Sequence, residues 1–488
     1  MPCTTILVGK KATYDGSTMM ARNEDSGAGQ FTAKKFIAVR PEDQPRHYVS
    51  VISKGKIDLP EDPLRYIAVP NALNNEGIWG EAGVNACGVA MTETETITSN
   101  ARVLGADPLV KGGIGEEDLL TIVLPYVRTA REGVKRLGSL LETYGTYEMN
   151  GIGFQDAEEV WWLESIGGHH WMARRVPDDA YVTMPNQQGI DWLDLADAFG
   201  PQKETLCSED LIDFIAQNHL DLSMGGGDLR QETRFDARAA FGSRDDADHV
   251  YNTPRAWFMQ RYLNPRTVRW DGPDADFRPE ADDIPWCRVP ERKITVEDVK
   301  YVLSAHFQGT PFDPYGKHGE EAPRGKYRPI GINRNNFVHL TQIRPGLPAE
   351  IAAVQWLGMG SNVFNAFVPF YTQVNDTPAY LRDTGAQVTT ENFYWANRLI
   401  GALADAHFSR CASPIERYQN RVQAQGQRML REFDRAFAEN APADAAAWQE
   451  DCNRQLADMA RQETDKVLAQ VLYQASMEMK NGFSRSDA

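Results

Sequence analysis

The chain has 488 residues, and 51 Lys and Arg against 68 Asp and Glu leave a formal charge of −17. That sign argues against a nucleic-acid partner, because phosphate backbones are bound by basic surfaces. Hydrophobic residues make up 42% of the chain, and no apolar run approaches the roughly 20 residues of a membrane helix, so neither a disordered nor a membrane-spanning protein is expected.

At about 150 residues per domain, the length suits three domains or one large fold with additions. The six cysteines (Cys3, Cys87, Cys207, Cys287, Cys411 and Cys452) form no C-x-x-C pair and no Cys/His cluster. Neither a metal site nor a disulfide framework is indicated, no cofactor is expected, and a reducing compartment fits. Met-Pro-Cys-Thr-Thr at the start lacks the features of a secretory signal, so a cytoplasmic location is expected.

Cys3 to Val8 is β-branched or apolar and reads as a buried strand. Asp15-Gly16-Ser17 is a turn signal, and Thr18 to Arg22 a second strand, the two making a hairpin with Arg22-Asn23-Glu24-Asp25 at its end. Further strands are predicted near 77–80 and 88–91, with the turn between them at Asn85 to Gly88. Glu116-Glu117-Asp118 are acids suited to the first turn of a helix, whose apolar positions recur from Leu120 to Leu141; Pro125 should divide it.

Strands follow at 151–155, 160–164, 171–174 and 181–184, the last ending at Pro185-Asn186. Helices are expected at 208–219 and 295–304, with Thr295 and Asp298 resembling a capping box. Residues 220–250, 271–285 and 313–328 read as loops or insertions. The order of elements indicates an α+β fold. From Tyr418 onward the apolar spacing predicts long amphipathic helices, a C-terminal appendage on the main body. Their apolar stripes suit packing within the chain, with a homo-oligomer interface as the other reading.

Cys3 stands out by position. If Met1 and Pro2 are removed it becomes the first residue, and its own α-amine can serve as base for its thiol. An amine pKa of about 7.7–8.0 is well matched to a thiol near 8.5. Arg22 and Asp25 lie at the far end of the hairpin, where a cation favours thiolate and a carboxylate orients an ammonium. On these residues alone, a core cysteine and a surface ion pair are the preferred readings. Glu93 and Glu95 share one face of a candidate strand and could receive a substrate α-ammonium, or form a solvated strand face. His169-His170 lack a third metal ligand at suitable spacing.

Cys-Thr-Thr-Ile-Leu-Val-Gly (3–9), Asp-Gly-Ser-Thr (15–18) and Ala-Arg-Asn-Glu-Asp (21–25) resemble the opening of the cysteine dipeptidases of the dipeptidase A type, in the N-terminal nucleophile hydrolase superfamily. The segments 83–95, 124–127, 130–134, 251–255, 328–336 and 354–371 are similar to family segments too, so the resemblance spans nearly the whole chain. It implies a four-layer α-β-β-α sandwich with the nucleophile at a sheet edge, a catalytic domain over 3–390 and a helical extension over 391–488. The activity it implies is hydrolysis of dipeptides of broad composition, with small peptides as the partners. By motif, Cys3 would be the nucleophile, and Arg22 and Asp25 match residues flanking it in related bile-salt and penicillin amidases. Asn186 would be an oxyanion donor and Arg255 a second cation. Two alternatives share the scaffold: an acyl-amide hydrolase, and a secernin-like interaction protein without enzymatic activity.

Overall fold

The computed structural model describes residues 3–73, 78–92, 95–316 and 323–482, with the backbone alone for Glu95. Among these, seven strands form one antiparallel sheet in the order Cys287–Arg288, Tyr181–Met184, Cys3–Val8 (β1), Thr18–Asp25 (β2), Asn335–Ile343, Ala353–Met359 and Val368–Tyr371. The β-branched opening run does form a strand, and it lies inside the sheet. The expected position at a sheet edge is corrected, since β1 is hydrogen-bonded on one side to β2 and on the other to Tyr181–Met184. Gly16 makes the turn before β2 with φ +82°, a conformation costly for a residue with a Cβ, while Asp15 accepts from the Ser17 backbone and hydroxyl.

A second sheet, of nine strands among the described residues, is built around Asn150–Gln155 and Val160–Ser165 and is also antiparallel. The two sheets pack face to face through Leu7, Met20, Val84, Trp162 and Met172. Strand alternation turns adjacent Trp161 the other way, into a cluster with Val134, Leu137 and Leu141 of the helix Ala130–Tyr144. Gly133 and Gly138 allow that helix its close approach: a Cβ on either would stand 2.4 Å from Phe154 or 2.2 Å from Trp171.

The expected long helix over 116–144 is divided at Pro125, as the sequence indicated: an α-helix Leu119–Val123, a 3₁₀ turn Leu124–Tyr126, then Ala130–Tyr144. On the outer face of the first sheet, Ile6, Val8 and Ala21 meet Trp257 and Phe258 of the helix Thr253–Leu263 and Val296 and Val299 of the helix Val296–Leu303. The latter helix carries the expected capping box of Thr295 and Asp298. The long helices Phe408–Glu439 and Ala445–Met477 pair with each other and continue this outer layer, where Asn453 binds the backbone of Tyr371 through both its amide atoms. No described helix is long and apolar enough to cross a membrane.

Candidate active site

The antiparallel register sets Cys3 opposite Glu24 and Thr5 opposite Arg22. Side chains two residues apart on a strand share a face, so Cys3, Glu24 and Arg22 all point between the sheets. All three are fully buried. Arg22 Nη2 donates to the Cys3 sulfur at 2.8 Å. A guanidinium at that distance favours thiolate over thiol.

Arg22 is held from its other side by carboxylates. Nη1 pairs with Glu81 at 2.6 Å, and Nη2 reaches Glu116 at 3.4 Å. Glu81 also pairs with Lys34 at 3.1 Å, and Lys34 with Glu24 at 2.7 Å. Every member of this chain of charges is buried, and burial disfavours charge unless a partner repays it. The outcome differs from one carboxylate to the next. Burial and neighbouring Glu81 push Glu24 up to about 7 despite Lys34. For Glu81 burial acts in the same direction, but Lys34 and Arg22 outweigh it and hold the carboxyl below its ordinary value. Burial pushes Glu116 up to about 8, with Glu81 and Glu148 adding like-charge repulsion.

Glu116, Glu117 and Asp118 therefore do something other than form the expected acidic first turn of a helix. They precede the helix Leu119–Val123 and are buried. Glu117 accepts from Ser50 and Tyr147, and Asp118 from Tyr48 and the Gly115 backbone. Tyr48, Ser50 and Tyr147 lie far away in sequence, so local patterning could not show these contacts.

Around the backbone of Cys3 a second grouping forms. Asn186, just past the strand Tyr181–Met184, accepts the Cys3 N–H at 3.1 Å and Arg255 Nη2 at 2.8 Å through the same oxygen. Arg255 also donates to the Cys3 carbonyl, to Thr4 Oγ1 at 2.7 Å and to Asn252 at 2.8 Å. Asp25, one residue past the partner of Cys3, accepts from Arg328 and Asn335. The Tyr251 ring links the two groupings, with the Arg255 and Arg328 guanidiniums each 5.1 Å from its centroid.

The structure thus gathers Cys3, Arg22, Asn186 and Arg255 by direct contact and sets Asp25 on the adjoining strand end. Glu93 lies outside the described residues, as does the side chain of Glu95, whose backbone belongs to the short strand Glu95–Thr96. Sequence reasoning missed the roles of Glu24, Lys34, Glu81, Glu116, Asn252, Arg328 and Asn335. Four of these, Glu24, Asn252, Arg328 and Asn335, fall inside the segments quoted above for their family resemblance, and for Glu24 and Asn252 nearness to Asp25 and Arg255 was a further usable signal.

His339, opposite Arg22 in the register, is fully buried. Burial and the Arg22 charge push its pKa down to about 3, so it is neutral at physiological pH. Among the described residues no group of three His, Cys, Asp or Glu side chains could hold a metal ion.

Comparison with known proteins supplies the family. The model of peptidase family C69 matches residues 2–421. A "Dipeptidase" of Bifidobacterium longum (strain NCC 2705) is 55% identical, and a "Probable dipeptidase A" of Streptococcus pyogenes serotype M3 (strain SSI-1) 53% identical, each over 100% of both chains. A "Dipeptidase A" of Lactobacillus helveticus is 43% identical over 96% of each chain. With a family model over most of its length and relatives matching from end to end, the chain belongs to peptidase family C69.

Proposed function

We propose that this protein is a thiol dipeptidase that works through Cys3 once Met1 and Pro2 have been removed, by self-processing or by another enzyme. The observation that carries this reading is the Cys3 sulfur 2.8 Å from Arg22 while the nitrogen of the same residue is held by Asn186. The names of the full-length relatives support the substrate class. Two stacked antiparallel sheets between helices support an N-terminal nucleophile architecture.

In the trimmed chain the freed amine of Cys3 takes the thiol proton. A histidine as depressed as His339 is a poor base for that step. The thiolate attacks the peptide carbonyl, a C–S bond forms, and the carbonyl electrons move onto oxygen. Asn186 accepts from Cys3 and Arg255 through its Oδ1, which turns its amide NH₂ toward the role of oxyanion donor. One such donor is typically worth about 3–4 kcal/mol. Collapse of the intermediate breaks the C–N bond, and the proton held by the Cys3 amine passes to the leaving amine. Water then adds to the thioester, giving a proton to the Cys3 amine. The thiolate departs, recovers a proton, and the second amino acid is released. Asp25, fixed by Arg328 and Asn335, orients the terminal ammonium, and Arg255 holds the Cys3 carbonyl.

Intact-mass measurement combined with a hydrolysis assay on a panel of dipeptides and N-acyl amino acids tests the reading. Active protein is expected to start at Cys3 and to cleave dipeptides of varied composition, and Cys3→Ala is expected to lose at least about a thousandfold in turnover. Full activity in protein that retains Pro2, or in Cys3→Ala, overturns it; cleavage confined to N-acyl amino acids moves the substrate class to acyl amides.

A further inference from the structure

Away from the gap between the sheets, the outer helical layer encloses a cavity of about 570 Å³, a size that suits a small molecule. On one side it is lined by Lys300 and Tyr301 of the helix Val296–Leu303, and on the other by Ala412, Ile415 and Gln419 of the helix Phe408–Glu439. Val363 and Phe364, together with Phe408 and Ile415, make part of the wall apolar.

Lys300 is the one member of this wall that packing leaves unexplained. It is 6% exposed. Its Nζ donates to Ser304 Oγ and to the Asn362 carbonyl, each at 2.7 Å, and the Phe367 ring lies 5.8 Å away. Ser304 and Val363 both line the cavity, so these bonds set the ammonium at its wall. An ammonium carries three N–H donors, and a third is left over. Both acceptors are neutral, and the Ser304 hydroxyl gives its own proton to the Lys300 carbonyl.

Among the described residues no carboxylate pairs with Lys300. Of the acids lining the cavity, Asp298 is paired with Arg292 and Asp313 with His306, while Glu297 and Glu416 are exposed. Burial therefore acts without opposition and pushes the Lys300 pKa down to about 7. A buried cation is costly unless an anion meets it, and a carboxylate arriving from the cavity would supply both the missing charge and the missing acceptor.

We infer that this cavity binds a small monocarboxylate with an apolar body, its carboxylate on the Lys300 ammonium and its body against Phe364, Phe408 and Ile415. The exposed acids Glu297 and Glu416 disfavour an anion of higher charge. The site is separate from the candidate active site and independent of the function proposed above: the helix Val296–Leu303 covers the outer face of the first sheet, whereas Cys3 faces the second.

Calorimetric titration of the full chain tests this with three probes: 3-phenylpropanoate, 3-phenylpropan-1-ol, which keeps the body without the charge, and inorganic phosphate, which keeps charge without the body. The carboxylate is expected to bind at least about tenfold tighter than either of the others, as a charge-assisted hydrogen bond provides. Lys300→Met, which preserves the length of the side chain, should bring 3-phenylpropanoate down to the level of the alcohol. Ala412→Trp, which fills the cavity from the facing helix, should weaken it at least about tenfold. Wild type that does not bind 3-phenylpropanoate overturns the inference, as does wild type that binds the alcohol or phosphate equally well. Unchanged affinity in either variant overturns it too, by placing the probe elsewhere; should Lys300→Met fail to fold, Ala412→Trp and the ranking of the probes still decide.

Discussion

The two ends of the β1–β2 pair present the same face to the same gap between sheets, yet obey different physics. At one end Leu7 and Met20, register partners, are fully buried among apolar side chains. A Cβ at Gly153 of the second sheet would stand 2.6 Å from the Met20 sulfur, so the sheets touch closely there. At the other end Cys3, Arg22 and Glu24 are equally buried but meet Glu81, Lys34 and Glu116. The apolar end sets the spacing of the sheets, and the charged end uses it: buried ion pairs repay their desolvation only when geometry is held firmly.

The sharpest way to break this contrast is Arg22→Met. It leaves Glu81 and Glu116 short of a cation, and is expected to cost about 3–5 kcal/mol in urea unfolding and at least about a thousandfold in dipeptide turnover. A stable, active Arg22→Met protein would dissolve the distinction. Leu7→Ala at the opposite end should cost about 3 kcal/mol and leave kcat per folded molecule within about twofold. If turnover falls well beyond the unfolded fraction, the ends are coupled rather than separate.

The smallest effect is a pH dependence. Glu24, Glu116 and Asp118 hold their protons in the fold up to about 7, about 8 and about 7, all shifted upward first by burial. Unfolded carboxyls release theirs near pH 4, so between the two the folded chain binds more protons and stability falls as pH rises. This contribution is fully present below about pH 4 and lost by about pH 8. Melting temperature should therefore drop between pH 5.5 and 8.5, and Glu24→Gln should flatten the drop. A Glu24→Gln protein with the wild-type slope would remove that residue from the account.

The charged end was only partly legible. Cys3, Arg22 and the turn at Gly16 could be read because strand propensity and turn chemistry are local, and the division at Pro125 because a missing N–H acts locally too. Glu116 was misread because its surroundings decide its role, and they come from β2, from residue 81 and from residue 148. The helix Thr253–Leu263, which carries Arg255, has Pro254 in its first turn but no side-chain cap, and it is buried along most of its length. With apolar and polar residues buried alike, the periodicity that reveals surface helices is lost. The strand Asn335–Ile343 only begins inside a segment noted for resemblance, Ala353–Met359 lies almost wholly in another, and neither was assigned as a strand; both are buried throughout, so they lack the alternation that marks a half-exposed strand.

Polypeptide ends ordinarily fray, and a reactive group placed on one would spend much of its time out of position. Here Arg255 clasps the Cys3 carbonyl and the neighbouring Thr4 hydroxyl, while strands on both flanks lock the residues that follow. A terminus created by the proposed trimming would be born already moored, its wandering suppressed when the sheet formed, so that activation asks for one bond to be cut and for no rearrangement of the scaffold.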